Sequence, residues 1–128
     1  MNSDVITQER IDELLDFLPN FEDPERKYIV GWEPTWYAVY ADDVDAFFYL
    51  AGQPCWQDHN YEIDVAGKMV RDDDVVATAD LEQIKTMMTF CVRGERFASG
   101  HWGVMLRKGR ISALLKRLQV LRQTVPEA

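Results

Sequence analysis

The feature that most constrains this chain is the run from Asp80 to Val92. Leu81, Ile84, Met88 and Cys91 recur at three- and four-residue steps, and Met87, Phe90 and Val92 widen the apolar arc. That spacing belongs to an α-helix, and a helix apolar over so much of its circumference sits at the centre of a fold. Its start is marked as well, because Asp80 stands three residues before Gln83 in the pattern of a capping box. The chain is therefore expected to be built around a helix.

Other amphipathic runs supply the partners. Ile11, Leu14, Leu15 and Leu18 form one stripe, with Thr7 placed to cap the helix and Pro19 to stop it. Ile111, Leu114, Leu115, Leu118 and Leu121 form another, ended by Pro126. Asp42 or Asp43 reads as the N-cap of a short helix carrying Val44, Phe47, Phe48 and Ala51, with Gly52 as a left-handed stop. Ser99 reads as the N-cap of a helix over His101–Leu106, halted by Gly109.

Between these, Tyr61–Val65 alternates polar and apolar residues. Ala66-Gly67 offers a turn and Lys68–Arg71 a return, so this stretch reads as a short β-hairpin leaning on a helix. Asp72, Asp73 and Asp74 read as an exposed acidic loop, since they lack the ligand spacing of a calcium loop. The expected fold is mainly α: a single compact helical domain over residues 1–128, with four to five helices and room for a small β-hairpin insert near 61–71. The remaining structure of residues 28–78 stays open.

A chain of 128 residues with 47% hydrophobic and 28% charged residues can bury a core without disulfides or metal. Its first apolar residues are interrupted by Asp4, Glu9 and Arg10, unlike a signal peptide, and no apolar run approaches the roughly 20 residues of a membrane span. These features point to a cytoplasmic protein with Cys55 and Cys91 as free thiols. Cys55 and His59 are four apart, but a zinc site would need Cys91 and His101 from distant helices, so no metal and no cofactor is expected.

The net charge of −8 is unevenly spread. Residues 1–90 carry 6 Lys+Arg against 20 Asp+Glu, whereas residues 91–128 carry 8 against 2. The favoured reading is mutual offset, with the basic C-terminal helices packed beside the acidic part. The alternative is a nucleic-acid face formed by Arg107, Lys108, Arg110, Lys116, Arg117 and Arg122, which the overall acidity disfavours.

Ten of the 15 aromatic residues fall between Tyr28 and Tyr61. Packing is the first explanation for such density, and an aromatic groove for a partner is the second. Polar residues concentrate instead in R93-G-E-R-F-A-S-G-H-W102. Arg93 and Arg96 lie three apart, Glu95 sits between them, and a helix starting near Gly100 would point free backbone N–H groups at an anion. Arg93, Glu95, Arg96, Ser99, His101 and Trp102 therefore form the candidate ligand-binding set for a phosphate or carboxylate. The competing reading is a clasp in which Arg96 pairs with Glu95 or another acid and His101 meets a backbone carbonyl.

The run R93-G-E-R-F-A-S-G-H101, the following G109-R-I and the L114-L-K-R-L118 ending resemble the C-terminal signature of a small bacterial domain family of unknown function. Leu18-Pro19 after a leucine-rich opening helix and the aromatic middle are similar too. The resemblance implies a mainly helical bacterial domain and no assigned activity.

No nucleophile elbow, Walker loop, dinucleotide loop or H-E-x-x-H motif is present, and no catalytic residue is assigned. An interaction or accessory domain, with a protein partner or self-association, is the leading expectation. A small-anion site on Arg93–His101 is the second, and nucleic-acid binding the third.

Overall fold

The computed structural model describes residues 5–34 and 36–127. Seven α-helices and one antiparallel hairpin make up the regular structure among them: α1 (Gln8–Leu15), β1 (Ile29–Trp32), β2 (Ala38–Tyr40), α2 (Asp42–Ala51), α3 (Ile63–Arg71), α4 (Asp73–Ala77), α5 (Leu81–Arg93), α6 (His101–Arg107) and α7 (Arg110–Leu121). Short 3₁₀ turns at Leu18–Phe21, Pro54–Trp56, Gly94–Arg96 and Arg122–Thr124 join them.

Helices α5 and α7 are the axis of the domain. Ile84, Met87, Met88 and Cys91 of α5 are buried, and so are Ile111, Leu114, Leu115 and Leu118 of α7. α3, α2 and α6 pack around α5, while α1, α4 and α6 pack against α7. The capping box at Asp80 and Gln83 is present in both directions, with bonds of 2.8 and 2.9 Å. Thr7 caps α1 by accepting from the Arg10 N–H at 3.2 Å. Local signals of this kind translate directly into structure because both partners lie within one helical turn.

Several expectations are corrected. Seven helices replace four to five, and the hairpin expected near 61–71 is instead helix α3. The alternation that suggested a strand places Ile63 and Val65 half in solvent, while Ala66, Gly67 and Val70 carry the buried face. The acidic run after it is no loop. Asp72 accepts from the Asp74 and Val75 N–H groups and so caps α4. The N-cap of α2 is Ala41, not Asp42 or Asp43; Asp43 turns away to Arg26 and Asn20, whose hydrogen bonds hold its carboxyl down to about 2. Gly52 closes α2 in a right-handed conformation, φ −86°.

The β structure lies earlier. In β1–β2, Ile29 pairs with Tyr40, Gly31 with Val39 and Trp32 with Ala38, with a bulge between Ile29 and Gly31. The connecting turn is closed by the Trp36 N–H on the Glu33 carbonyl at 2.8 Å, with Pro34 just inside it. Trp36 leaves the turn at φ 68°, in the left-handed region that a bulky side chain disfavours.

The aromatic middle divides in two. Tyr28, Tyr40, Phe47, Phe48 and Trp56 are buried, and Phe47 meets Phe17, Phe21 and Phe48 edge to face at 5.0–5.6 Å. Trp32, Trp36, Tyr37 and Tyr49 stand exposed. Packing therefore explains half of the cluster and leaves the other half to be accounted for.

The charge asymmetry is offset in part, because three of the eight C-terminal cations pair with acids of the first 90 residues. Arg122 holds Asp12 through two hydrogen bonds of 2.7 and 2.9 Å, Arg110 reaches Asp73 and Lys116 reaches Glu22. Arg117 donates to the Ala79 carbonyl at 2.8 Å. These cations face acids and carbonyls on four different segments rather than forming one open basic stripe.

Candidate functional site

The site is assembled where α5 ends. The chain leaves α5 through the 3₁₀ turn Gly94–Arg96 and enters α6 at Gly100, whose φ of 97° turns the backbone as few residues other than glycine can. This connection folds Glu95 back over the start of α6. One of its carboxylate oxygens accepts from the Gly100 N–H at 2.9 Å; the other accepts from the Trp102 N–H at 2.9 Å and the Tyr40 hydroxyl at 2.8 Å. A carboxylate is what the positive end of a helix favours, so the anion expected from outside is supplied by the chain itself. The Tyr40 phenol, buried and facing that carboxylate, is raised above its ordinary value.

Ser99 does not cap α6. Its hydroxyl accepts from the Ala38 N–H at 2.7 Å and ties the 97–100 turn to β2, and the N-cap position passes to Gly100. Trp102 is fixed on two sides. Its indole N–H donates to the Val92 carbonyl at 2.9 Å, near the end of α5, and its ring stacks on Phe48 at 4.3 Å with planes 4° apart.

His101 points the other way from the expected convergence. Its ring meets Phe90 edge-on at 5.2 Å, and its Nε2 is buried with no hydrogen-bond partner among the described residues. Burial holds the imidazole below its ordinary value of 6.5; Glu95 and a hydrogen bond to the Phe90 backbone pull it back only in part. The unfolded chain therefore binds a proton near pH 6.5 that the folded chain resists, and folding stability falls as pH drops below that point. Thermal unfolding between pH 7.5 and 5 should show a falling melting temperature, and His101→Gln should reduce that slope. An unchanged slope in the variant would assign the effect elsewhere.

The two arginines have different surroundings. The Arg93 guanidinium lies 5.7 Å from the Tyr61 ring centroid, a cation–π distance, and Arg96 is exposed. Neither forms an ion pair among the described residues. Both line a cleft of about 580 Å³ together with His59, Glu95, Val92 and Trp102, and Gly52, Pro54 and Gln57 of the segment that follows α2 line it too.

The structure thus brings Arg93, Glu95, Arg96 and Trp102 to one cavity and leaves Ser99 and His101 outside it. His59 is the member missed from sequence. Its spacing from Cys55 had suggested zinc chemistry, but Cys55 is buried in the core while His59 is exposed at the cleft. Cys91 is likewise buried, its thiol pushed up to about 12 by desolvation.

A second surface lies on the other side of the Ser99–Ala38 bond. Trp32, Trp36, Tyr37 and Phe97 are 54%, 80%, 63% and 72% exposed, and Val30 and Val39 add to them. Four rings of roughly 200 Å² each leave on the order of 500 Å² of aromatic surface in water, near the upper end of what a monomer shows.

No described helix is long and apolar enough to cross a membrane. A model built for a family of unknown function matches residues 6–124. No curated protein and no solved structure matches the chain.

Proposed function

The chain belongs to that family, DUF6508, and from its geometry we propose a non-enzymatic interaction domain that self-associates through the β1–β2 hairpin. The observation that carries this reading is the exposure of Trp32, Trp36, Tyr37 and Phe97 on one hairpin and the turn bound to it. Aromatic side chains that are costly to leave in water are the residues that dominate protein interfaces.

Trp36 adds a second reason. At φ 68° it occupies a backbone conformation that suits glycine and costs an ordinary L-residue roughly 1–2 kcal/mol. A large ring held there and left 80% exposed contributes little to the monomer's own core. Backbone strain of this kind collects where a side chain is needed for contact with something else. The occupant assigned is a second copy of the chain. The exposed aromatic area, on the order of 500 Å², supplies more than half of the roughly 800 Å² per partner of a standard interface, and a C2 dimer uses the same patch on both copies.

Sedimentation from about 1 to about 500 µM tests this, since an interface near standard size can be expected to associate within that range. The wild type should move from monomer to dimer. Trp36→Gly should weaken dimerisation by at least about tenfold while its melting temperature holds or rises, because the strain is relieved. A wild type that remains monomeric throughout the range overturns the proposal. So does a Trp36→Gly variant that dimerises like the wild type.

A further inference from the structure

The cleft beside α5 is a separate matter from the hairpin. Its lining combines two kinds of surface. One is charged or polar: Arg93 and Arg96, which have no carboxylate partner among the described residues, and His59. The other is apolar: Val92, Pro54 and Trp102, whose indole is locked by the Val92 carbonyl and the Phe48 ring. Elsewhere in the C-terminal third, Arg110, Lys116 and Arg122 are matched by Asp73, Glu22 and Asp12, whereas Arg107 and Lys108, like Arg93 and Arg96, form no ion pair among the described residues. Arg93 and Arg96 thus bring two guanidinium groups without a carboxylate partner among the described residues into the lining of one cavity.

We propose that this cleft binds a small monocarboxylate with a planar apolar body, its carboxylate on Arg93 and Arg96 and its body against Trp102 and Val92. The charge balance selects one negative charge over two. Arg93 and Arg96 supply two positive charges, and Glu95 in the same lining supplies one negative charge, already committed to the Gly100 and Trp102 N–H groups and the Tyr40 hydroxyl. The residual of one positive charge matches a carboxylate, whereas a phosphate dianion would bring its second charge against Glu95.

The shape selects an apolar body. The volume of about 580 Å³ lies in the range of small-molecule sites. A bare ion would leave the Trp102–Val92 wall wet, while a flat ring would remove that wall from water. Because Trp102 is held from two sides in the free protein, little ordering is required of it on binding.

Titration with 2-naphthoate, acetate, inorganic phosphate and uncharged 2-naphthamide tests the assignment. Calorimetry gives affinity, and the ¹⁵N–¹H signals of the Trp102 indole and the Arg93 and Arg96 side chains give location. The expected result is saturable binding of 2-naphthoate that shifts all three signals, with acetate, phosphate and the amide each at least about tenfold weaker. Arg96→Gln and, separately, Arg93→Gln should each weaken 2-naphthoate by about tenfold or more, Arg96→Gln at an unchanged melting temperature and Arg93→Gln with a small fall from loss of its contact with the Tyr61 ring.

The proposal is overturned if 2-naphthoate does not saturate by about 10 mM, a limit corresponding to almost no affinity. It is also overturned if phosphate binds as tightly as 2-naphthoate, or if both arginine variants bind like the wild type. These outcomes are independent of the oligomeric state, so they separate the cleft from the hairpin.

Discussion

Replacing Glu95 by alanine should destabilise the domain by about 3–4 kcal/mol, lowering the melting temperature by roughly 10–15 °C for a chain of this length. The carboxylate accepts from two backbone N–H groups of α6 and from the Tyr40 hydroxyl, at 2.8–2.9 Å. All three donors are wholly or partly shielded from water, so removing the acceptor leaves them short of partners as well as losing three charge-assisted bonds. The phenol oxygen still accepts from the Gly103 N–H at 3.3 Å, but that bond offers its O–H no acceptor. Glu95→Gln keeps one good acceptor and should cost about half as much. Chemical denaturation of the two variants and the wild type decides the matter. A Glu95→Ala midpoint within about 0.5 kcal/mol of wild type would show that this clasp is not what holds α6 to the hairpin.

The second large effect is expected at Gly94. A Cβ placed there would come 2.3 Å from Nε2 of His101 and within 2.6 Å of two further ring atoms. That is far inside contact distance, and the ring is already confined by Phe90. Gly94→Ala should therefore cost about 2–3 kcal/mol through overpacking, even though its φ of −57° suits alanine as well as glycine. The diagnostic is a cycle with His101→Ala. If the collision is the cause, the double variant should be no less stable than His101→Ala alone, giving a coupling of about 2 kcal/mol. Simple additivity would point to a backbone cause instead.

These two residues show where sequence reasoning reached and where it stopped. The capping box at Asp80, the Thr7 cap and the stripes of α1, α5 and α7 were legible because each is decided within a few residues. Helix α3 was not, because Tyr61–Val65 alternates in strand fashion on residues that end up partly or largely in solvent. At the site, the residue types were recognised but their roles were permuted. In the sequence Glu95 simply stands between two arginines. Its partners are five and seven residues ahead and 55 behind, brought to it only by the 3₁₀ turn and the left-handed Gly100. Ser99 had the sequence context of a cap and was claimed by a strand 61 residues away. Local patterns could not anticipate either exchange, since both depend on how the hairpin docks.

The pairing of α1 with α7 and the 3₁₀ turn after it bears on the order in which the domain can be completed during synthesis. Ile11 and Leu14 are fully buried, α1 packs against α7, and the Gln8 N–H is bonded to the Pro126 carbonyl at 2.8 Å. Asp12 waits in the same way for Arg122, 110 residues on. Within this domain α1 is made well before α7, and its apolar stripe stays incompletely covered until α7 has been translated. A nascent chain halted before Arg110 would carry that stripe in the open, where chaperones and proteases recognise unfinished proteins.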